Sequence, residues 1–330
     1  MPKKILITGA SGFIGSFLVD EALSRGYDVV AGVRRSSSLE FLRDPRIRFL
    51  ELEYASPDSL ARQLGSDSFD YIIHNAGTTG TKGNGDFQTI NFTYTRHLVN
   101  ALRELSRPPE KFLFMSSLAV MGPGHAETLE PLRVGDPERP VSAYAQSKLA
   151  AERYLVSACP IPFVILRPTA VFGPRDRDFL SLFRWIRRGI QPRVGTHRQR
   201  LSMIYVKDLA SAALDLVALP QARTCYLASD TGAYDQEDLG RIISTLMGRR
   251  TWRLRVPIPV LRPLITASEA AHRLLGRHPF MGIDKLREIE AANWLCDSSD
   301  LWNDLGRKPA YSLELGLKET WEWYTKHGWV

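Results

Sequence analysis

A tyrosine and a lysine lie four residues apart in the segment YAQSK, as Tyr144 and Lys148. In a helix this spacing places both side chains on one face, so the ammonium group can stabilise the phenolate. The pKa of the tyrosine would then fall below its usual value of about 10, and the phenol could serve as an acid or a base. The same pair also occurs on plain exposed helices, so the spacing alone does not establish catalysis.

Two serines end the apolar run KFLFMSS, as Ser116 and Ser117. If this run is a strand of a parallel sheet, both hydroxyls lie at the carboxyl edge, where such sheets bind their ligands. A hydroxyl at that edge can bind a carbonyl oxygen.

Three glycines follow the first apolar run in the segment TGASGFIG, as Gly9, Gly12 and Gly15. A tight turn between a strand and a helix directs backbone N–H groups and the positive end of the helix dipole toward an anion. Gly9 would permit the turn, Gly12 would let a pyrophosphate approach, and Gly15 would let the helix lie close to the strand. Glycines also serve plain turns, but the position after the first strand favours a dinucleotide.

The second apolar run ends in AGVRRSSS, where a dinucleotide-binding fold usually places a carboxylate against the ribose hydroxyls. Arg34 and Arg35 stand there instead and could hold a 2′-phosphate, because guanidinium pairs well with phosphate. The sequence therefore favours NADP(H) over NAD(H). The alternative is that both arginines simply face water.

The elements that must position these groups alternate between short apolar runs and helical patterns. Six strands with intervening helices predict an α/β fold with a doubly wound parallel sheet, a Rossmann fold. After Pro174 the rhythm changes, which predicts a smaller, mostly helical C-terminal substrate lobe with the site in the cleft between. We expect the dinucleotide-binding domain to comprise residues 1–171 and about 202–230, and the substrate lobe about 172–201 and 231–330.

Composition narrows the class of protein. The formal charge of +7 without a recognised nucleic-acid-binding module favours an anionic small molecule over nucleic acid. Three separated cysteines without metal-ligand spacing predict a cytoplasmic protein with no metal site. No run of 18 apolar residues occurs, which predicts no transmembrane segment and leaves peripheral membrane contact open.

The segments TGASGFIG, HNAG, FMSSLAVMG, YAQSK and RPTAVFGPRD resemble, in order and spacing, the extended short-chain dehydrogenase/reductase family, which includes NAD(P)-dependent epimerases and dehydratases. The resemblance covers nearly the whole chain. It implies that Ser117 orients the substrate, with Ser116 as the fallback, and that Tyr144 is the acid or base. It further implies that Lys148 lowers the pKa of Tyr144 and binds the nicotinamide ribose, and that Asn91 supports the site.

The resemblance also assigns cofactor contacts. The turn residues it implies are Gly9, Gly12, Phe13, Ile14 and Gly15. Beyond the turn, it places Ala76 and Gly77 beside the adenine and ribose, Glu53 where an aspartate often contacts adenine, and Pro168 and Thr169 beside the nicotinamide.

Within the family, the same core carries out oxidoreduction, sugar epimerisation or sugar dehydration. Dehydration is disfavoured, because Leu118 and Ala119 follow Ser117 where dehydratases carry an acid. Leu201 stands at the likeliest position of an arginine with which epimerases often hold a diphosphate, and Arg200 could substitute for it. The chain is most similar in character to the dihydroflavonol reductase and 3β-hydroxysteroid dehydrogenase branch, which implies an NADP(H)-dependent oxidoreductase of a carbonyl or secondary alcohol, with a homodimer possible.

Two alternatives stay open at this point. One is a nucleotide-sugar epimerase with tightly bound NAD, since the core motifs do not choose between the reactions. The other is a non-catalytic cofactor-binding subunit, because a fold alone does not give a function.

Overall fold

The computed structural model describes residues 2–80, 87–195, 199–220, 224–274 and 283–330. A seven-stranded parallel sheet forms its centre, with the strands in the order β3-β2-β1-β4-β5-β6-β11. These strands are β1 (Lys4–Thr8), β2 (Asp28–Val33), β3 (Arg48–Glu51), β4 (Tyr71–His74), β5 (Lys111–Met115), β6 (Phe163–Pro168) and β11 (Cys225–Ala228). The direction of winding reverses between β1 and β4, so a crevice opens there at the carboxyl ends of the strands.

Helices cover both faces of this sheet. The helices are α1 (Phe13–Ser24), α2 (Pro57–Gly65), α3 (Tyr94–Ala101), α4 (Ala143–Ala158), α5 (Leu180–Arg187), α6 (Val206–Ala218), α7 (Gln236–Leu246), α8 (Ile258–Leu274), α9 (Ile283–Glu290), α10 (Ser299–Asp304) and α11 (Leu313–Lys326). On β1, Ile5 and Ile7 pack into one buried cluster with α1 and α6, whereas Leu6 packs into a second with α2, α3 and α4. Burial on both faces explains why the strands are continuous apolar runs.

Three small sheets lie outside the central one. They pair β7 (Ala170–Phe172) with β10 (Met203–Tyr205), β8 (Ile190–Val194) with β13 (Trp252–Val256), and β9 (Arg200–Leu201) with both β12 (Tyr234–Asp235) and β14 (Asn293–Trp294). Apart from β7, which comes just before Pro174, the strands of these small sheets follow the change of rhythm in the sequence, as do α5 and α7 to α9.

The predicted α/β fold with a doubly wound parallel sheet is confirmed. The sequence predicts six strands, and the segment TCYLAS forms a seventh, which pairs with β6. The segment from Phe87 to Leu105, which has the sequence pattern of one long helix, is divided into a π-helical stretch over Gln88–Thr93, α3, and a 3-10 turn over Leu102–Glu104. The division into two domains stays a prediction. Within the described ranges, no helix has the length and apolar character needed to cross a bilayer.

Candidate active site

The glycine turn after β1 is packed on two sides. Gly9 has a φ of +64°, and a Cβ there would lie 2.8 Å from the backbone of Ala76, which follows β4. A Cβ on Gly15 would lie 2.0 Å from the Gly9 carbonyl oxygen. Neither position has room for a side chain, so the turn, the start of α1 and the loop after β4 are held together by backbone contact.

The first turn of α1 has no anion of its own. Gly12 is the N-cap residue, it makes no side-chain cap, and no acidic residue stands in the first turn. Gly12, Phe13 and Ile14 line a cleft of about 390 Å³ that runs along the carboxyl edge of the sheet. Free backbone N–H groups and the positive end of a 12-residue helix therefore face this cleft, an arrangement that fits a pyrophosphate.

Most of the predicted cofactor residues line this one cleft. The residues brought together there are Gly9, Gly12, Phe13, Ile14, Arg34, Ala76, Gly77, Tyr144 and Lys148. The cleft lining does not include Gly15, Arg35, Glu53, Pro168 and Thr169. Gly15 lies beneath the turn instead.

At the end of the cleft where the resemblance places the adenine, the residues that line the cleft differ from the prediction. The side chain of Glu53 is exposed, and its backbone N–H donates to Gln63 Oε1 at 3.0 Å. The next residue, Tyr54, lines the cleft and stacks on Tyr94 with ring centroids 5.0 Å apart. The alternation of side chains beyond β3 turns Tyr54 inward, a signal that the sequence analysis did not use.

The two arginines after β2 are placed differently from each other. Arg34 lines the cleft together with Ser37, whose hydroxyl accepts a hydrogen bond from the Arg34 backbone N–H at 3.0 Å. Arg35 is exposed and lies outside the lining. Neither arginine forms an ion pair within the part of the chain that the structure describes. Ser37 was missed, although the run SSS directly follows the arginines.

Lys148 lies on the floor of the cleft. Ser142 caps the start of α4 by accepting from Ala145 N, and the helix then carries Lys148 inward. Its Nζ donates to the Met115 carbonyl at 2.8 Å and lies 4.8 Å from the centre of the Phe114 ring. Burial lowers the pKa of Lys148 to about 8.

Tyr144 lies one turn earlier on α4. Burial raises the pKa of its phenol to about 12; the Ser117 hydroxyl opposes this shift, and the Glu288 carboxylate on α9 adds to it. In this arrangement burial outweighs any lowering of the Tyr144 pKa by Lys148, whose ammonium is directed at the Met115 carbonyl, so the expected lowering stays a prediction. The shared helix face was predicted correctly, whereas the competing acceptor on β5 could not be seen in the sequence.

The two serines after β5 have separate partners. Ser116 is buried and donates to the carboxylate of Glu152, which is also paired with buried Arg167 at 2.5 Å. Ser117 is half-buried, caps the 3-10 turn over Leu118–Met121 and interacts with the phenol of Tyr144. Ser116 lines the cleft, but its hydroxyl is engaged by Glu152, whereas Ser117 lies outside the lining and contacts Tyr144. The role of Ser117 in orienting a substrate stays a prediction, which this contact supports.

Asn91 joins two walls of the site. Its Oδ1 accepts from Thr78 N at 2.8 Å, and its Nδ2 donates to the Thr78 carbonyl and to Ser147 Oγ at 3.1 and 3.0 Å. Thr78 belongs to the cleft lining and Ser147 to α4. A Cβ on Gly77 would lie within 3.2 Å of both Asn91 Oδ1 and Lys148 Nζ, so the loop lies directly against this pair.

Residues 5–225 match the NAD dependent epimerase/dehydratase family. The chain belongs to this family. The predicted extended short-chain dehydrogenase/reductase membership is therefore confirmed, and the family binds a nicotinamide cofactor.

Relatives with different activities share similar identity with the chain. A ceramide reductase from Caulobacter vibrioides is 26% identical over 99% of this chain and 96% of the relative. A UDP-glucose 4-epimerase from Vibrio cholerae is 27% identical over 97% of this chain and 95% of the relative. A putative dihydroflavonol 4-reductase from Synechocystis is 25% identical over 100% and 97%. The structure of a UDP-glucose 4-epimerase from Thermotoga maritima matches this fold with a TM-score of 0.79 at 21% identity, covering 98% and 99% of the two chains.

Proposed function

We propose that the protein is an NADP(H)-dependent oxidoreductase that interconverts a carbonyl group and a secondary alcohol. The observation that carries this proposal is that Tyr144, whose phenol interacts with the Ser117 hydroxyl, lines the same cleft as the uncapped start of α1. The start of α1 fits a pyrophosphate, and Tyr144 can serve as a proton donor in the same cleft.

A bound nicotinamide would supply or accept the hydride. In the reducing direction, Ser117 would hold the carbonyl oxygen and Tyr144 would give it a proton, becoming a phenolate. The positive charge of Lys148 in the same cleft would favour that phenolate. A proton from solvent would then restore the phenol.

An apolar substrate is supported by the surroundings of the phenol. The Phe87 ring lies 6.0 Å from the Tyr144 ring, edge to face. Leu118, directly after Ser117, is buried, and no acid stands there to assist a dehydration. The presence of a reductase of a lipid, ceramide, among the relatives agrees with a bulky, largely apolar substrate.

The preference for NADP(H) is supported by Arg34 and Ser37. Both line the cleft at the end of β2, where no carboxylate would repel a 2′-phosphate. We expect Arg34→Ala to weaken NADPH binding about 10- to 100-fold, the loss of one charge-assisted hydrogen bond, with little change for NADH. Arg35→Ala is the matched control, because Arg35 lies outside the lining. Equal affinity of the wild-type protein for both nucleotides would contradict the preference.

The reaction itself is tested by a substrate screen and by removal of the Tyr144 hydroxyl. Carbonyl compounds and nucleotide sugars are screened with both nicotinamides, and a reductase consumes NADPH in step with its substrate. Tyr144→Phe should abolish turnover and leave NADPH affinity nearly unchanged. Tyr154→Phe, on the same helix but hydrogen-bonded to Asn100, should retain activity.

A nucleotide-sugar epimerase is the second candidate, supported by the Vibrio cholerae relative. It would convert a nucleotide sugar without net change in nicotinamide absorbance. Against it, Arg200, the nearest arginine to the position of Leu201, already donates to the Ala233 carbonyl at 3.3 Å.

Cofactor binding without turnover of any substrate would favour the non-catalytic alternative. A cytoplasmic location and a homodimer stay predictions.

A further inference from the structure

The small sheet of β8 and β13 has one face held against α7. Arg193 on β8 pairs with Glu237 of α7, and Arg253 on β13 reaches the same carboxylate at 3.4 Å. Gln191 also packs against α7, where it would collide with a Cβ on Gly240. Because side chains alternate along a strand, the residues between these point to the opposite face.

That opposite face is apolar. It carries Ile190, Pro192, Val194, Trp252, Leu254 and Val256. Trp252 is 70% exposed, and the other five are half-buried. Within the described residues, none of the six packs into the buried clusters of the core.

The segments that form this apolar face are rich in arginine. Residues 184–195 and 248–256 contain four arginines each and no aspartate or glutamate. The two segments adjoin, because Trp252 N donates to the Gly189 carbonyl at 2.8 Å. Four of these arginines are exposed and make no ion pair with any described residue: Arg187, Arg188, Arg249 and Arg250.

A second exposed tryptophan lies on α5, which packs against β8. Trp185 on α5 is 43% exposed, with the Arg188 guanidinium 5.8 Å from its ring. We use the term basic apolar face for the surface formed by Trp185, Arg187, Arg188, Ile190, Pro192, Val194, Arg249, Arg250, Trp252, Leu254 and Val256.

We propose that the basic apolar face docks on a membrane surface rich in anionic phospholipid. Exposed tryptophan rings suit the headgroup level of a bilayer, aliphatic side chains can enter the acyl boundary, and arginines attract anionic headgroups. A second copy of the chain fits less well, because a twofold axis through this face would bring like-charged arginines together. The proposal does not depend on the reaction proposed above.

The test is sedimentation of the full chain with vesicles. Phosphatidylcholine vesicles are compared with vesicles containing about one-third phosphatidylglycerol, at about 0.1 M and about 0.5 M salt. We expect partition only onto the anionic vesicles, weakened at high salt. The double variant Arg187→Ala, Arg188→Ala should lower the partition coefficient about 30-fold, and Trp252→Ser should lower it with the salt dependence retained.

The control is a double variant with the same change of net charge, Arg62→Ala with Arg107→Ala, both of which are exposed and neither of which belongs to the basic apolar face. It should bind like the wild type, and thermal melts should show that all variants fold. Absence of binding at low salt, or equal losses in both double variants, would overturn the proposal. Conversion of a dimer to a monomer by Trp252→Ser, without an effect on vesicle binding, would overturn it in favour of a second copy.

Discussion

Replacement of Gly15 by alanine tests how the cofactor turn is built. The new Cβ would lie 2.0 Å from the Gly9 carbonyl oxygen and 2.8 Å from Ala10 Cα, both of which are backbone atoms. Carbon–oxygen contacts of this kind lie at about 3.3 Å, so the turn and the helix would have to separate by about 1.3 Å. The turn cannot yield easily, because the Ala76 backbone confines Gly9 on its other side.

The magnitude follows from two opposing effects. Overpacking of a rigid site costs about 1–3 kcal/mol, and the confinement of the turn places this site near the upper value. The better helix propensity of alanine recovers about 1 kcal/mol. We therefore expect Gly15→Ala to lower the free energy of unfolding by about 2 kcal/mol. NADPH should bind at least about tenfold more weakly, because the N–H groups of Phe13 and Ile14 move away from the bound phosphates.

Urea denaturation measures the first quantity, and a fluorescence titration with NADPH measures the second. Gly65→Ala is the matched control, because Gly65 is an exposed residue in the last turn of α2 and a Cβ there would meet nothing within 4 Å. It should be neutral or slightly stabilising. The steric reasoning fails if Gly15→Ala unfolds within about 0.5 kcal/mol of the wild type and binds NADPH equally well.

Three further predictions concern buried charge. Lys148→Met should raise the melting temperature at pH 7, because burial depresses the pKa of Lys148 and the wild-type protein therefore loses stability by holding a buried ammonium. The advantage of the variant in melting curves should shrink between pH 8 and 10.5, where the wild-type lysine is neutral in the folded protein. A gain that persists at pH 10.5 would exclude this cause. Glu152→Gln should cost about 3 kcal/mol in urea denaturation, because the buried Arg167 guanidinium would keep only the partly exposed Glu138 carboxylate as a counter-charge. A loss below about 1 kcal/mol would contradict that account. Glu288→Gln should lower the pKa of Tyr144, because it removes a carboxylate that raises it. The limb of the kcat/KM pH profile that reports Tyr144 should therefore move to lower pH, and a move to higher pH would refute the coupling.

The sequence predicts features whose cause is local. The glycine turn is predictable because Gly9 and Gly15 stand where the backbone leaves no space for a side chain. The common helix face of Tyr144 and Lys148 is predictable from their four-residue spacing. Contacts between distant segments could not be predicted in this way. The Met115 carbonyl that binds Lys148 is 33 residues away, and nothing in YAQSK indicates it.

Other differences arise because the family resemblance assigns a role to one residue, whereas the structure places a neighbouring residue in that position. Glu53 occupies the aligned position, but Tyr54 lines the cleft. The position of Ser116 and Ser117 after the same strand does not distinguish them. They differ in the structure because Glu152, 36 residues from Ser116, accepts a hydrogen bond from the Ser116 hydroxyl. The apolar character of TCYLAS indicates a strand, but its place beside β6 depends on the crossover through α6.

The amide of Asn91 gives the site a mechanical property. A single buried side chain ties the loop at Thr78 to α4 at Ser147, and α4 also carries Tyr144 and Lys148. Replacing this one amide would remove the side-chain hydrogen bonds that join the two segments, and with them a restraint on the distance between the loop and the two candidate catalytic groups.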